Sequence, residues 1–177
     1  MKISDIPQFP IARYEANVAW GHIEEWLESQ MAEIIGYLGL NLDPDFQRGH
    51  VWSEDKQIAY IEFCLKGGQY SRTILFNHKG WMTDFVGEMV LVDGKQRLEA
   101  VRKFIRNELP VFGGNKLNDF DYPDRLLRSQ HLLIGVNNLP TRKLVLDWYL
   151  QLNSGGVVHT PEEIEKVKKL LALEPAT

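Results

Sequence analysis

The sequence lacks the features of exported and membrane-inserted proteins. Its single cysteine, Cys64, cannot form a disulfide bond within the chain, which favours a reducing compartment such as the cytoplasm. The apolar runs, for example Leu132–Val136, are far shorter than a membrane span. The first residues contain no apolar segment typical of a secretory signal. We therefore expect a cytoplasmic chain that makes no contact with a membrane, and its 177 residues suffice to fold without disulfides or a structural metal.

Several catalytic patterns are also missing. The sequence has no Gly-x-x-x-x-Gly-Lys-Ser/Thr loop, which excludes a P-loop nucleoside triphosphatase. It has no Gly-x-Ser-x-Gly turn, which argues against the nucleophile elbow of serine hydrolases. The five histidines do not follow the spacing of metal ligands, and one cysteine cannot build a zinc site.

Charge is modest overall but uneven along the chain. The formal net charge of −4 is unlike that of a free-standing nucleic-acid-binding protein. Residues 1–45 contain two basic and eight acidic side chains, so the rest of the chain carries a small positive excess. Five basic side chains crowd around the acid Glu99, namely Lys95, Arg97, Arg102, Lys103 and Arg106. This cluster is interpreted either as a solvated helix face or as an anion site at the start of a helix.

Apolar periodicity predicts an α/β or α+β fold, with a small mixed sheet and four or five helices around it. Residues 1–21 read as a lead-in, and residues 112–124 read as a loop. Strands are predicted at 73–76, 89–92 and 131–136. Helices are predicted over 22–38, from a cap at Ser53 to about 67, from Lys95 on, from a cap at Thr141 to 152, and over 161–173. The helix over 22–38 has an acidic face, and its apolar stripe packs on its own domain or on a partner.

The first segment with chemical potential is the strand that runs through Asp93 and Gly94 into a helix. Free backbone amides at a helix N-terminus favour an anion, and Gly94 permits close approach of a ligand. Lys95 and Arg97 add positive charge, and an arginine can grip a phosphate with two nitrogens. Asp93 would repel a bare phosphate, so it acts either as a helix cap or with a metal ion between the two.

Two further segments have both a functional and a structural interpretation. Gln47 and Arg48 lie between the aromatic anchors Phe46 and Trp52, which suits a loop that binds phosphates or bases. The alternative is a surface arginine between two core residues. The segment Asn153-Ser154-Gly155-Gly156 is either a helix stop or a small backbone nest that closes a ligand site.

Taken in order, the three segments resemble the signatures of one family. Pro44-Asp45-Phe46-Gln47-Arg48-Gly49-His50-Val51-Trp52 resembles P-x-F-Q-R-x-x-V-W, and Asp93-Gly94-Lys95-Gln96-Arg97-Leu98 resembles D-G-Q-Q-R-L. Tyr149-Leu150-Gln151-Leu152-Asn153-Ser154-Gly155-Gly156 resembles f-x-x-i-N-[ST]-G-G. The family is the N-terminal domain of GmrSD-type and SspE-type restriction proteins, a branch of the ParB/sulfiredoxin fold. The resemblance covers residues 38–173.

The resemblance implies an α+β, ParB-like nucleotide-binding domain over residues 38–177, behind a lead-in and acidic helix over residues 1–37. It implies binding of a nucleoside triphosphate and its hydrolysis with Mg²⁺ or another divalent cation, coupled to DNA restriction or nicking in defence against phages. Asp93, Gln96 and Arg97 would handle the phosphates, the attacking water and a metal on Asp93. Residues that would complete the nucleotide site are Gln47, Arg48, Gly94, Lys95, Asn153, Gly155 and Gly156. Implied partners are a nucleotide, DNA, and a separate nuclease or defence protein.

Two departures from the family pattern leave more than one function open. Lys95 stands where the family has glutamine, and no His-Asn-His nuclease segment is present, so we expect a stand-alone copy of the domain. The absence of a cysteine at the Gly94 turn excludes sulfiredoxin chemistry. The protein is thus either a nucleoside triphosphatase, with at most weak nuclease or nickase activity, or a non-catalytic module. Such a module is a switch that binds nucleotide or nucleic acid without turnover, or an interaction module that acts on a partner complex.

Overall fold

The computed structural model describes residues 14–31, 37–47, 52–153 and 161–174, and they form an α+β fold. Five strands are present in these ranges: β1 (Tyr14–Ala19), β2 (Tyr37–Asn41), β3 (Thr73–Asn77), β4 (Gly87–Asp93) and β5 (His131–Asn137). Six α-helices accompany them: α1 (Ile23–Met31), α2 (Glu54–Leu65), α3 (Lys95–Ile105), α4 (Pro123–Ser129), α5 (Arg142–Asn153) and α6 (Pro161–Leu173). None of the described helices is both long and apolar enough to cross a bilayer.

The strands form one mixed sheet in the order β1-β5-β3-β4-β2. Parallel pairs join β5 to β3 and β4 to β2, and antiparallel pairs join β1 to β5 and β3 to β4. The α+β class with a small mixed sheet and surrounding helices is therefore confirmed. Strand β4 lies between β3 and β2, ends at Asp93 and leads directly into α3.

Helices cover both faces of the sheet, as the alternation along β4 shows. Met89 and Leu91 are buried in one apolar cluster, which includes side chains from α1, α2 and α3. Val92 is buried in a second cluster, which is built largely from α5 and includes Val167 of α6. Because successive strand residues point to opposite faces, the two clusters lie on opposite sides of the sheet.

Four expectations drawn from the sequence need correction. The predicted lead-in contains β1, which escapes notice because it is an edge strand with few buried side chains. The helix predicted over 22–38 ends too late: α1 is Ile23–Met31, and Tyr37 already belongs to β2. The loop predicted over 112–124 contains a short 3₁₀ turn at Leu117–Asp119 and the first turn of α4. The helices outnumber the four or five that were expected.

The acidic helix α1 packs on its own domain. Its Glu24 carboxylate receives a hydrogen bond from Arg102 Nε at 3.0 Å and lies 2.7 Å from Arg106 Nη2. Burial raises the pKa of Glu24, but the hydrogen bonds and charges of the two arginines outweigh it and bring the pKa below its ordinary value. Part of the basic cluster of the sequence therefore serves to hold α1 against α3.

We predict that His78 makes folding sensitive to mild acid. Its side chain is fully buried and its Nδ1 accepts a hydrogen bond from the Gly80 amide at 3.1 Å. Burial lowers the pKa of the imidazole in the folded protein, so its contribution to stability is complete above about pH 6.5 and is lost as the pH falls below that value. Chemical denaturation between pH 5 and pH 8 would measure this loss, and His78→Asn should flatten it.

The matched control is His22→Asn, because His22 lies exposed beside Glu25. This variant should keep the acid sensitivity of the parent protein. Equal pH slopes for the parent and for His78→Asn would contradict the assignment to His78.

Candidate functional site

The junction between β4 and α3 is built around Gly94. This residue has a φ of +98° in the left-handed region and forms the N-cap of α3 without a side-chain hydrogen bond. A Cβ at this position would lie 2.6 Å from Ile74 Cδ1 and 3.1 Å from the Thr73 carbonyl oxygen on β3. Both the backbone angle and the lack of space therefore require glycine. The helix start is held against the sheet with no room for a side chain.

A cavity of about 580 Å³ opens beside this junction. Its base is the segment from Val92 to Arg97, one wall is α2 together with Trp52, and the other wall is the C-terminal end of α5. This volume lies within the usual range of small-molecule sites. The lining side chains are Gln47, Trp52, Lys56, Ala59, Tyr60, Phe63, Ser71, Val92, Asp93, Lys95, Gln96, Arg97, Tyr149, Leu152 and Asn153, with the backbone of Gly94.

Arg97 ties the cavity base to the sheet. Its Nη2 donates to Asp93 Oδ2 at 2.5 Å and to the Thr73 carbonyl oxygen at 3.0 Å. Its Nε is buried without a hydrogen-bond partner. Asp93 therefore binds the arginine one turn further along and does not cap the helix, so the interpretation of Asp93 as a simple cap is wrong.

The two glutamines of the motifs brace the cavity walls. Gln47 is 8% exposed, and its Nε2 donates to the Leu91 carbonyl oxygen of β4 at 2.6 Å. Gln96 is 9% exposed, and its Oε1 accepts from the Trp52 amide at 3.1 Å. Both side chains reach the cavity, but their amide groups already hold chain segments together.

Lys95 and Asn153 line the cavity from two different helices. Lys95 Nζ pairs with the Asp43 carboxylate, which is 79% exposed, whereas the lysine side chain is 17% exposed. Asn153 Nδ2 donates to the Tyr149 carbonyl oxygen at 2.7 Å, one turn back along α5. The described candidate site residues of the three segments thus all line one cavity.

The remaining predicted residues are Arg48, Gly155 and Gly156, and all three lie outside the described residues. Sequence reasoning also missed one wall of the cavity. Trp52, Lys56, Tyr60 and Phe63 are spaced four, four and three residues apart, which is the signature of one helix face. The signal was present, but an apolar stripe of this kind ordinarily indicates only core packing.

Tyr60 joins the α2 wall to the segment that leads into β3. Its hydroxyl donates to the Ser71 carbonyl oxygen at 2.9 Å, and its ring contacts Trp52 edge to face at 5.4 Å. Burial raises the pKa of the phenol well above its ordinary value, so the group stays protonated at neutral pH. It can donate a hydrogen bond but adds no negative charge to the cavity.

The described residues offer few ligands for a metal ion. They contain no group of three or more carboxylate, imidazole or thiol side chains that could hold one. Asp93 is the single carboxylate among the described residues that line the cavity, and Arg97 occupies its Oδ2. Because Mg²⁺ is commonly held by one or two carboxylates together with substrate phosphates, a cation here would depend on a ligand for most of its coordination.

Comparison with known proteins identifies no relative: no family model, no curated protein and no solved structure matches this chain significantly. The function must therefore be inferred from the residues of the cavity and from the resemblance of the three motifs to GmrSD-type domains.

We predict that Gly94→Ala lowers the free energy of unfolding by about 3 kcal/mol, because it combines backbone strain with a clash against β3. Urea denaturation would measure the loss. Gly67→Ala is the matched control, since Gly67 has a φ of +91° but no atom within 4 Å of an added Cβ. The control should lose only the backbone share, about 1 kcal/mol. Equal losses would contradict the tight packing of the junction.

We predict that Gln47→Glu lowers the free energy of unfolding by about 2 kcal/mol, because it leaves the buried Leu91 carbonyl without its donor. The matched control is Gln69→Glu, in which an exposed amide donates to the Gly67 carbonyl oxygen at 3.3 Å. This exposed substitution should change stability by less than about 0.5 kcal/mol. Similar small losses in both variants under urea would argue against the bracing role of Gln47.

Proposed function

We propose that this protein binds a nucleotide in the cavity, with the phosphates at the N-terminus of α3. The supporting observation is that one cavity combines a helix N-terminus, the cations Lys56, Lys95 and Arg97, and aromatic side chains. The helix N-terminus and the cations suit phosphate groups, and the aromatic side chains suit a nucleoside. A ligand with both parts matches this lining better than an inorganic anion or an apolar metabolite.

The phosphate end is supported by the backbone as well as by the side chains. The first amides of an α-helix have no partner within the helix, and α3 is 11 residues long with its positive end at the cavity. Lys95 and Arg97 now pair with Asp43 and Asp93. Phosphate oxygens would take the place of these carboxylates, so binding exchanges one anion for another.

Binding without rapid turnover is the reading that the geometry supports best. Asp93 and Gln96, the residues proposed to act on the attacking water, are both engaged in hydrogen bonds within the fold. Metal-dependent hydrolysis is the second candidate, because the Asp93 carboxylate lies at the phosphate end and could share a divalent cation with a triphosphate. In either case the resemblance to GmrSD-type domains suggests a role in DNA restriction, in which a separate nuclease or defence protein responds to the bound nucleotide.

Calorimetric titration with ATP, GTP, CTP and UTP, with and without Mg²⁺, tests this proposal. We predict that at least one nucleotide binds and that Lys95→Gln weakens binding about tenfold or more, because a charged hydrogen bond to phosphate is lost. Lys103→Gln is the matched control, since Lys103 lies on α3 but does not line the cavity. Its affinity should equal that of the parent.

Release of inorganic phosphate separates the two candidates. Binding without release identifies a switch, whereas steady release that requires Mg²⁺ and fails in Asp93→Asn identifies hydrolysis. If none of the four nucleotides binds the parent protein, the proposal is wrong.

A further inference from the structure

Phe63 is an exposed aromatic side chain on the α2 wall of the cavity. It is 41% exposed, although α2 packs other side chains such as Ile61 and Cys64 fully into the core. An apolar ring left partly in water beside a cavity loses hydrophobic stabilisation that a ligand could restore. The two faces of the ring have different surroundings.

One face of the Phe63 ring is covered by the backbone of Gly68. A Cβ at Gly68 would lie 2.4, 2.4 and 2.6 Å from three consecutive ring carbons, Cε1, Cζ and Cε2. Such nearly equal distances place that position above the ring face, because a point beyond the ring edge would be much closer to Cζ than to its neighbours. The Gly68 amide also donates to the Phe63 carbonyl oxygen at 2.9 Å, which holds the two residues together.

The other aromatic rings of the cavity already have ring partners. Trp52 contacts Tyr60 edge to face and has Lys56 Nζ 5.1 Å from its ring centroid. Tyr149 contacts Phe46 at 5.2 Å on the side of α5. Among the described residues, Phe63 makes no such ring contact, so it is the aromatic surface of the cavity that a planar ligand can use.

The α2 wall presents a cation and the Phe63 ring at a spacing that a nucleotide can span. Lys56 and Phe63 lie on the same wall two helical turns apart, about 10 Å along the axis of α2. A nucleoside with its phosphates extends over a comparable span. We propose that the base of the bound nucleotide stacks on the open face of Phe63, while Gly68 supports the opposite face. This inference rests on the proposed nucleotide function and adds to it a part of the site that reads the base.

Stacking on one ring has a defined chemical consequence. Every nucleobase has a π-face, so the contact separates nucleotides from inorganic polyphosphates and sugar phosphates more than it separates one base from another. Larger purine rings cover more of the phenyl surface than pyrimidines, so ATP and GTP should bind more tightly than CTP and UTP.

Calorimetry with ATP and with inorganic tripolyphosphate tests the inference. Phe63→Ala should weaken ATP binding about tenfold or more and leave tripolyphosphate binding unchanged. Phe63→Tyr retains the ring and should retain the affinity for ATP. The control Phe112→Ala removes a ring of equal exposure, 40%, that does not line the cavity, and it should leave both affinities unchanged.

A second variant approaches the ring from its covered face. Gly68→Ala should displace the Phe63 ring and weaken ATP binding without affecting tripolyphosphate, and circular dichroism and melting curves would show that both variants are folded. If ATP and tripolyphosphate bind the parent and Phe63→Ala alike, the stacking contact is wrong while the phosphate site stands. If the parent binds tripolyphosphate or a pyrimidine nucleotide but not ATP, the preference for a stacked purine is wrong while the phosphate site stands. If the parent binds neither tripolyphosphate nor any of the four nucleotides, both the inference and the proposed function are overturned.

Discussion

The tight turn at Gly94 is the constraint on which the other contacts of the cavity depend. Strand β4 and helix α3 can be joined this closely to β3 only where a residue has no Cβ and tolerates a positive φ. The turn sets where α3 begins and therefore where the positive end of the helix lies. It also brings Arg97 within reach of both Asp93 and the Thr73 carbonyl oxygen. A shift of this junction would move the charged end of the cavity as a unit.

The motif residues therefore have a structural task that does not depend on any ligand. Gln47 joins the loop after β2 to β4, and Gln96 joins the start of α3 to Trp52, two residues before α2. Buried amide groups are costly unless they are hydrogen-bonded, so these braces hold the cavity walls at fixed positions. A site built in this way loses little conformational entropy when a ligand binds.

The sequence predicted those parts of the fold that local chemistry determines. The cap at Ser53, the break at Gly94 and the helix over 161–173 all follow from residues adjacent in the chain, and each is confirmed. The edge strand β1 and the end of α1 were missed, because an edge strand buries few side chains and an apolar run does not reveal where it changes from helix to strand. The α2 wall was missed for a related reason, since Phe63 reaches the cavity only through the packing of α2 beside α3.

The basic cluster of the sequence divides into two halves with different roles. Arg102 and Arg106 share the Glu24 carboxylate of α1, so this part of the cluster packs against another helix and is not a purely solvated face. Lys95 and Arg97 lie at the cavity. The two cavity cations also differ. The partner of Lys95 is a largely exposed carboxylate, and exposed ion pairs contribute little to stability. Arg97 is held more firmly, because it binds the sheet as well as a carboxylate. An incoming anion would therefore compete with an exposed carboxylate for Lys95, whereas Arg97 is already held at the base of the cavity.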